Sequence, residues 1–157
     1  CDWSSDVCSS DLTVNDLAVG GAIPLYLSCS FILEEGLSID TLKTIVTSMK
    51  IAADKAAVKI VTGDTKVVPR GQADQIFINT SGVGVIAAGI NSSANNLQVG
   101  DRILINGFLG DHGAAILMAR GELDLQCTIE SDCQALNSLI SAILAVCPEV
   151  KIGRAHV

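Results

Sequence analysis

The chain has 157 residues, 49% of them apolar and only 3% aromatic, which is enough for about one domain with its own core and no need of disulfide or metal staples. Its net charge of −7, with no basic cluster, excludes the electrostatic footprint of a nucleic-acid binder. No apolar run reaches the roughly 18 unbroken residues that would announce a membrane helix.

The two ends read differently from the middle. The chain opens CDWSSDVCSSDL and closes IGRAHV. DVCSSD written as GAC GTG TGC TCT TCC GAT has the reverse complement ATC GGA AGA GCA CAC GTC, which translates to IGRAHV. Residues 1–12 and 152–157 are therefore expected to be non-native, adapter-like segments. On this reading Thr13–Lys151 is an internal fragment, and Trp3 packs against nothing. Cys1, Cys8 and His156 fit no zinc spacing. The other cysteines, Cys29, Cys127, Cys133 and Cys147, form no CxxC and read as buried thiols of a reducing cytoplasm.

TVNDLAVGGA predicts a helix capped by Thr13 or Asn15 and ended by Gly20-Gly21. IPLYLSCSFI predicts a buried strand. Ile39, Leu42, Ile45, Val46, Met49, Ala53 and Ala56 follow at helical spacing, with Ser38 as N-cap and Asp40 in the first turn. VKIV predicts a short buried strand, with GDTKVVPRG following it. IFINTSGVGVI predicts another strand, in which Gly82 and Gly84 mark bulges or a close backbone approach. AGINSSANNLQVGD is turn-rich and predicts a boundary between two parts, 13–90 and 98–151. DRILING predicts a strand. FLGDHGAAILMARG turns into a helix, and SDCQALNSLISAILAVC predicts a last helix capped by Ser131 or Asp132. The order implies a mixed α/β (α+β) chain.

Three stretches place polar groups at element ends, where ligands bind. They are Asn15-Asp16, Gly63-Asp64-Thr65-Lys66 and Gly110-Asp111-His112-Gly113. Mg²⁺ on nucleotide phosphates takes only one or two protein carboxylates. Asp16 and Asp64 have that chemistry, and Lys66 could neutralise phosphate. Equally, Asp64 and Thr65 could form a turn, and Asn15, Asp16 or Asp111 could cap helices. No GxxxxGK[ST] or GxGxxG cradle occurs.

TVNDLAVGGAIPLYLSCSFILEEGL, VKIVTGDTKVV, INTSGVGVI and GDRILINGFLGDHGAAIL together resemble the hydrogenase expression/formation family HypE, of the aminoimidazole ribonucleotide synthetase superfamily. VNDLA with GA.P and a later GDT is shared across that superfamily. TGDTKVV combined with GDHGAAIL is more specific to HypE. Gly20 departs from the serine expected there. The resemblance implies a PurM-like two-domain fold, truncated at both ends, whose N-terminal strands pair across a homodimer and so leave an apolar sheet face open in one copy. It implies an ATP-dependent carbamoyl dehydratase that converts a C-terminal cysteine thiocarboxamide to thiocyanate, a source of cyanide for [NiFe]-hydrogenase. Asn15, Asp16, Asp64, Thr65 and Lys66 would hold ATP, with Asp16 and Asp64 on Mg²⁺. The carbamoyltransferase HypF and a HypC–HypD acceptor would be partners, in the cytoplasm. The reactive C-terminal cysteine of the family is not Cys147, which is followed by Pro148, so the chain itself is expected to be inactive. Selenophosphate synthetase, thiamine-monophosphate kinase and a non-catalytic binding module remain the alternatives.

Overall fold

The computed structural model describes residues 7–121 and 129–151, with side chains from Thr13 onward. Trp3, Cys127 and the closing IGRAHV lie outside the described residues.

Helix α1 (Val7–Val19) starts ahead of the expected cap, so Thr13 and Asn15 sit inside it. No Gly or Pro interrupts residues 7–19, and the helix runs until Gly21, at φ 81°, turns the chain. Strand β1 (Ala22–Glu34) follows, then α2 (Ile39–Lys55), β2 (Lys59–Val68) and β3 (Ile76–Ile86). Ser38 caps α2 as expected, its hydroxyl accepting from Asp40 N–H at 3.2 Å.

The three strands form one sheet in the order β2-β1-β3. β1 and β2 are parallel, so their connection must cross over, and α2 makes that crossing. β3 returns antiparallel on the other side of β1. A proline in a central strand removes a ladder donor, and Pro24 avoids the penalty by position. Pairing with β2 begins only at Tyr26, and on the β3 side the register shifts between Pro24 and Tyr26.

Inward and outward positions alternate along β3 and along β1 from Tyr26 to Ile32, while β2 is exposed along nearly all its length. Leu27, Cys29 and Phe31 of β1 face the helices, as do Ile76 and Ile78 of β3. They build two small cores. Val14, Leu27, Ala53, Ala56 and Val58 form one, with Ala135 packed against it. Cys29, Ile45 and Met49 form the other. Burial pushes the Cys29 thiol pKa up, as expected of an inert core cysteine. Gly82 and Gly84 allow close approach. A Cβ on Gly82 would stand 2.7 Å from Leu17 Cδ1 and 2.8 Å from Leu27 Cδ2, and one on Gly84 would stand 2.6 Å from the Ile23 carbonyl.

The opposite sheet face is open. Tyr26, Ile32, Phe77, Val83 and Val85 are all exposed there, with Val83 at 60%. This is the apolar face that the family resemblance implies for one copy.

The later part departs further from expectation. DRILING forms no strand, because no described strand lies alongside it to complete a ladder, and Ile103 and Leu104 stay exposed. α3 (Asp111–Ala119) is capped by Gly110 at φ 89°, so Asp111 is its first helical residue and not its cap. α4 (Asn137–Val146) starts later than expected, and Ser131 and Asp132 bond to His112 instead of capping it. Between β3 and α3 the only helical turn among the described residues is the 3-10 turn Ala94–Asn96.

Glu34 closes the β2–β3 loop. Its carboxylate accepts the Gly71 N–H and, at 3.1 Å, the Gln75 N–H. Those two bonds, with Arg70 nearby, hold its pKa below the usual carboxylate value. The stabilisation is therefore present above about pH 4.3, the ordinary glutamate value, and is lost as pH falls through the lowered value in the folded chain. Acid titration is expected to deprotect the Gly71 and Gln75 amides by hydrogen exchange before the sheet melts, and Glu34→Gln should remove that pH dependence.

Gly82→Ala is expected to lower stability by about 1–3 kcal/mol in urea denaturation, through overpacking beneath α1. Gly113→Ala, whose Cβ would meet nothing within 4 Å inside α3, should leave stability unchanged or raise it by up to about 1 kcal/mol.

Candidate functional site

Asp64, Thr65 and Lys66 do not follow a strand. β2 continues through them to Val68, so neither the sheet-rim reading nor the simple turn describes them. The extension has a physical basis. β1 supplies a continuous parallel partner from Thr62 to Val68, opposite Ser28 to Glu34. Just before Asp64, Gly63 lies against the Cys29 carbonyl, with no room for a Cβ. That contact brings the edge strand close to β1 and sets where Asp64 emerges.

Alternation then separates the three residues. Asp64 pairs with Ser30 and Lys66 with Ile32, so both lie on the open sheet face. Thr65 pairs with Phe31 and lies on the helix side. A shallow groove of about 350 Å³ along β2 is nonetheless bordered by both Asp64 and Thr65, together with Cys29, Phe31, Ile60 and Gly63. Asp64 Oδ1 accepts the Thr65 N–H at 2.8 Å, leaving its other oxygen for further donors or a cation.

Two polar rows cross the open face beside Asp64. Asp64, Ser30 and Asn79 align across the three strands, and Thr62, Ser28 and Ser81 align next to them. Apolar pairs flank the rows, Tyr26 with Val83 and Ile32 with Phe77. Ser28, Ser30, Asn79 and Ser81 are absent from the sequence-based site. The signal was there: polar residues at a spacing of two within otherwise apolar strands place one polar patch on one face.

Asn15 and Asp16 lie elsewhere, on α1, which packs on the helix side of the sheet. Asp16 is exposed. Asn15 is the one buried polar residue among the described residues, 6% exposed. Its Nδ2 donates to the Gln134 carbonyl at 2.9 Å, and its Oδ1 accepts the Leu136 N–H at 2.7 Å. One copy of the chain thus does not bring the five residues into a single cluster. No group of three or more His, Cys, Asp or Glu suited to a metal occurs among the described residues. The patch around Asp64 nonetheless offers oxygen ligands, a carboxylate, hydroxyls and the Asn79 amide oxygen, which suits Mg²⁺ held by one carboxylate with water and phosphate oxygens completing its shell. His112 stands apart, its Nδ1 at 3.0 Å from Ser131 Oγ and its backbone N–H donating to Asp132 at 3.1 Å.

With this geometry in place, comparisons define the class. Residues 10–86 match the family AIR synthase related protein, N-terminal domain. The fold is PurM-like, and it is shared even with thiamine monophosphate kinase from Aquifex aeolicus, at TM-score 0.70 over 88% of this chain and 48% of that one; at 17% identity that likeness concerns the fold alone. The chain is a homologue of the HypE proteins. It is 54% identical over 142 residues to carbamoyl dehydratase HypE of Rhodobacter capsulatus, covering 90% of this chain and 42% of that protein. A crystal structure of a HypE–HypF complex superposes at TM-score 0.90, with 48% identity, over 94% of this chain and 48% of that one. Hydrogenase maturation protein HypE in complex with ATP superposes at 0.88, with 45% identity, over 94% and 44%. The chain spans less than half the length of these relatives.

Asp64→Asn is expected to change stability by no more than about 0.5 kcal/mol, as for an exposed surface substitution. Gly63→Ala should cost about 1–3 kcal/mol by pushing β2 off β1. Thermal denaturation of the two variants checks both.

Proposed function

We propose that this chain carries part of the ATP-handling half of a HypE-type carbamoyl dehydratase. The observation that carries this reading is the 54% identity to carbamoyl dehydratase HypE over 90% of the chain. The ATP complex of a HypE that superposes at TM-score 0.88 supports it.

In the whole protein, the substrate would be a cysteine thiocarboxamide. Its amide oxygen takes the γ-phosphoryl group of ATP, the nitrogen gives up its two protons, and the oxygen leaves with phosphate. The products are thiocyanate, ADP and phosphate. Such chemistry is mainly positioning and charge compensation. Lys66 would neutralise phosphate charge, and Thr65 and Asn15 would orient the nucleotide site. Asp16 and Asp64 would hold Mg²⁺, which when bound screens the phosphate oxygens. Asp64 and Lys66 lie on the open apolar face, so we place the homodimer contact there and the nucleotide site at its margin. Residues 13–90 would be the ATP-binding part and residues 98–151 the start of a second domain.

HypF, which forms a complex with the HypE of the superposed structure, would load the carbamoyl group, and a HypC–HypD complex would accept the product. The setting would be cytoplasmic. No described helix is long and apolar enough to cross a membrane.

A chimaera tests the reading. Residues 13–151 replace the matching stretch of the Rhodobacter capsulatus HypE, and the product is incubated with HypF, carbamoyl phosphate and ATP. Intact mass is expected to show carbamoylation followed by conversion to thiocyanate. Asp64→Asn in the chimaera should slow ATP-dependent conversion about 10²–10³-fold, the scale of losing one electrostatic stabiliser, with its melting temperature unchanged. A chimaera that folds and is carbamoylated but never dehydrates would refute the proposal.

A further inference from the structure

Asn15 spends its side chain on a segment far along the chain. Its amide bonds the backbone on both sides of Ala135, at Gln134 and Leu136. Ala135 itself packs on the core of Val14, Leu27, Ala53, Ala56 and Val58. The clamp is thus polar at both ends and apolar in the middle. It sits directly before α4, whose N-cap residue Leu136 provides no side-chain cap of its own. A second side-chain contact follows at once, from Asn137 Nδ2 to the Ala56 carbonyl at 2.9 Å. Ile140 then buries its side chain, while Val146 at the far end of α4 stays exposed. The seating of α4 is therefore concentrated at its first turn, and Asn15 holds the amide that opens it.

Asn15 adjoins Asp16 in the same turn of α1. A buried amide satisfied on both sides resists displacement, because breaking it leaves a buried donor and acceptor unpaired. Whatever shifts Asp16 must shift that turn, and the turn is tied to residues 134–136. We propose that Asn15 is a positioning residue that couples nucleotide binding at Asp16 to the seating of α4. The inference rests on the nucleotide reading of Asp16 and departs from it in one respect: Asn15 acts through the backbone of the α4 lead-in and does not touch the nucleotide. Coupling is reciprocal. If seated α4 raises the affinity for Mg·ATP by some factor, Mg·ATP must favour the seated state by the same factor.

The experiment follows hydrogen exchange of the Leu136 amide and of α4 in the chimaera with Rhodobacter capsulatus HypE described above, with and without Mg·ATP, alongside Mg·ATP affinity by calorimetry. In the unsubstituted chimaera, Mg·ATP is expected to slow Leu136 exchange about tenfold, within the usual range of such couplings. Asn15→Ala should abolish that slowing and weaken Mg·ATP binding by a similar factor. Asn15→Asp, which keeps an acceptor for the Leu136 N–H, should recover part of both. Mg·ATP binding that leaves Leu136 exchange unchanged would overturn the coupling alone. So would faster α4 exchange in Asn15→Ala with affinity unaltered, since that is what a merely structural clamp does. Absence of any Mg·ATP binding to the unsubstituted chimaera would instead sink the nucleotide reading, and the inference with it.

Discussion

Much of the structure depends on how closely α1 can approach the sheet. Gly82 is where it rests: the Leu17 and Leu27 side chains occupy the space a Cβ would take. Just beside it, the Thr13 and Thr80 hydroxyls share a hydrogen bond of 2.6 Å. The two contacts fix both the height and the rotation of α1. With the rotation fixed, Val14 points into the core, Asn15 toward residues 134–136, and Asp16 outward. A helix held farther off would lose the buried amide contacts first, because hydrogen bonds tolerate far less displacement than apolar packing.

The sheet has one covered face and one open face, and that asymmetry organises the rest. Two helices against three strands cover one side with small residues, Ala18, Ala52 and Ala53 among them. On the other side Tyr26, Ile32, Phe77 and Val83 are left exposed. Exposed apolar area of this kind marks an interaction site more often than chance. The polar rows through Asp64 and Ser30 cross that face, so a partner covering it would have to answer their hydrogen-bonding groups or leave them in water.

The chemistry-bearing motifs show where a linear reading stops. Asp64, Thr65 and Lys66 are consecutive, and adjacency suggests one cluster. In a strand, successive side chains point to opposite faces, so the middle residue is removed from its neighbours by the sheet itself. Conversely Asp64, Ser30 and Asn79 are remote in sequence and become one row through two ladders. Asn15 illustrates the same limit. Its neighbours suggest a cap, but the helix extends past it toward Val7, and its partners lie at Gln134 and Leu136.

Local rules were enough wherever an element's stability is written in its own residues. The Ser38 cap and the 3.6 period of α2, the apolar run of β1, and the glycines that admit close contacts in β3 were all legible, since each depends on nearby atoms. The family motifs were legible as strings, and homology to HypE followed from them. What only the tertiary structure decided was pairing. β2 grew through GDTKVV because β1 offered a partner for every residue from Thr62 to Val68. DRILING, with Ile103, Leu104 and Ile105 in succession, formed no strand because none of the described strands lies beside it. A backbone hydrogen bond needs a second backbone, and the sequence of one segment does not say where that second backbone will be.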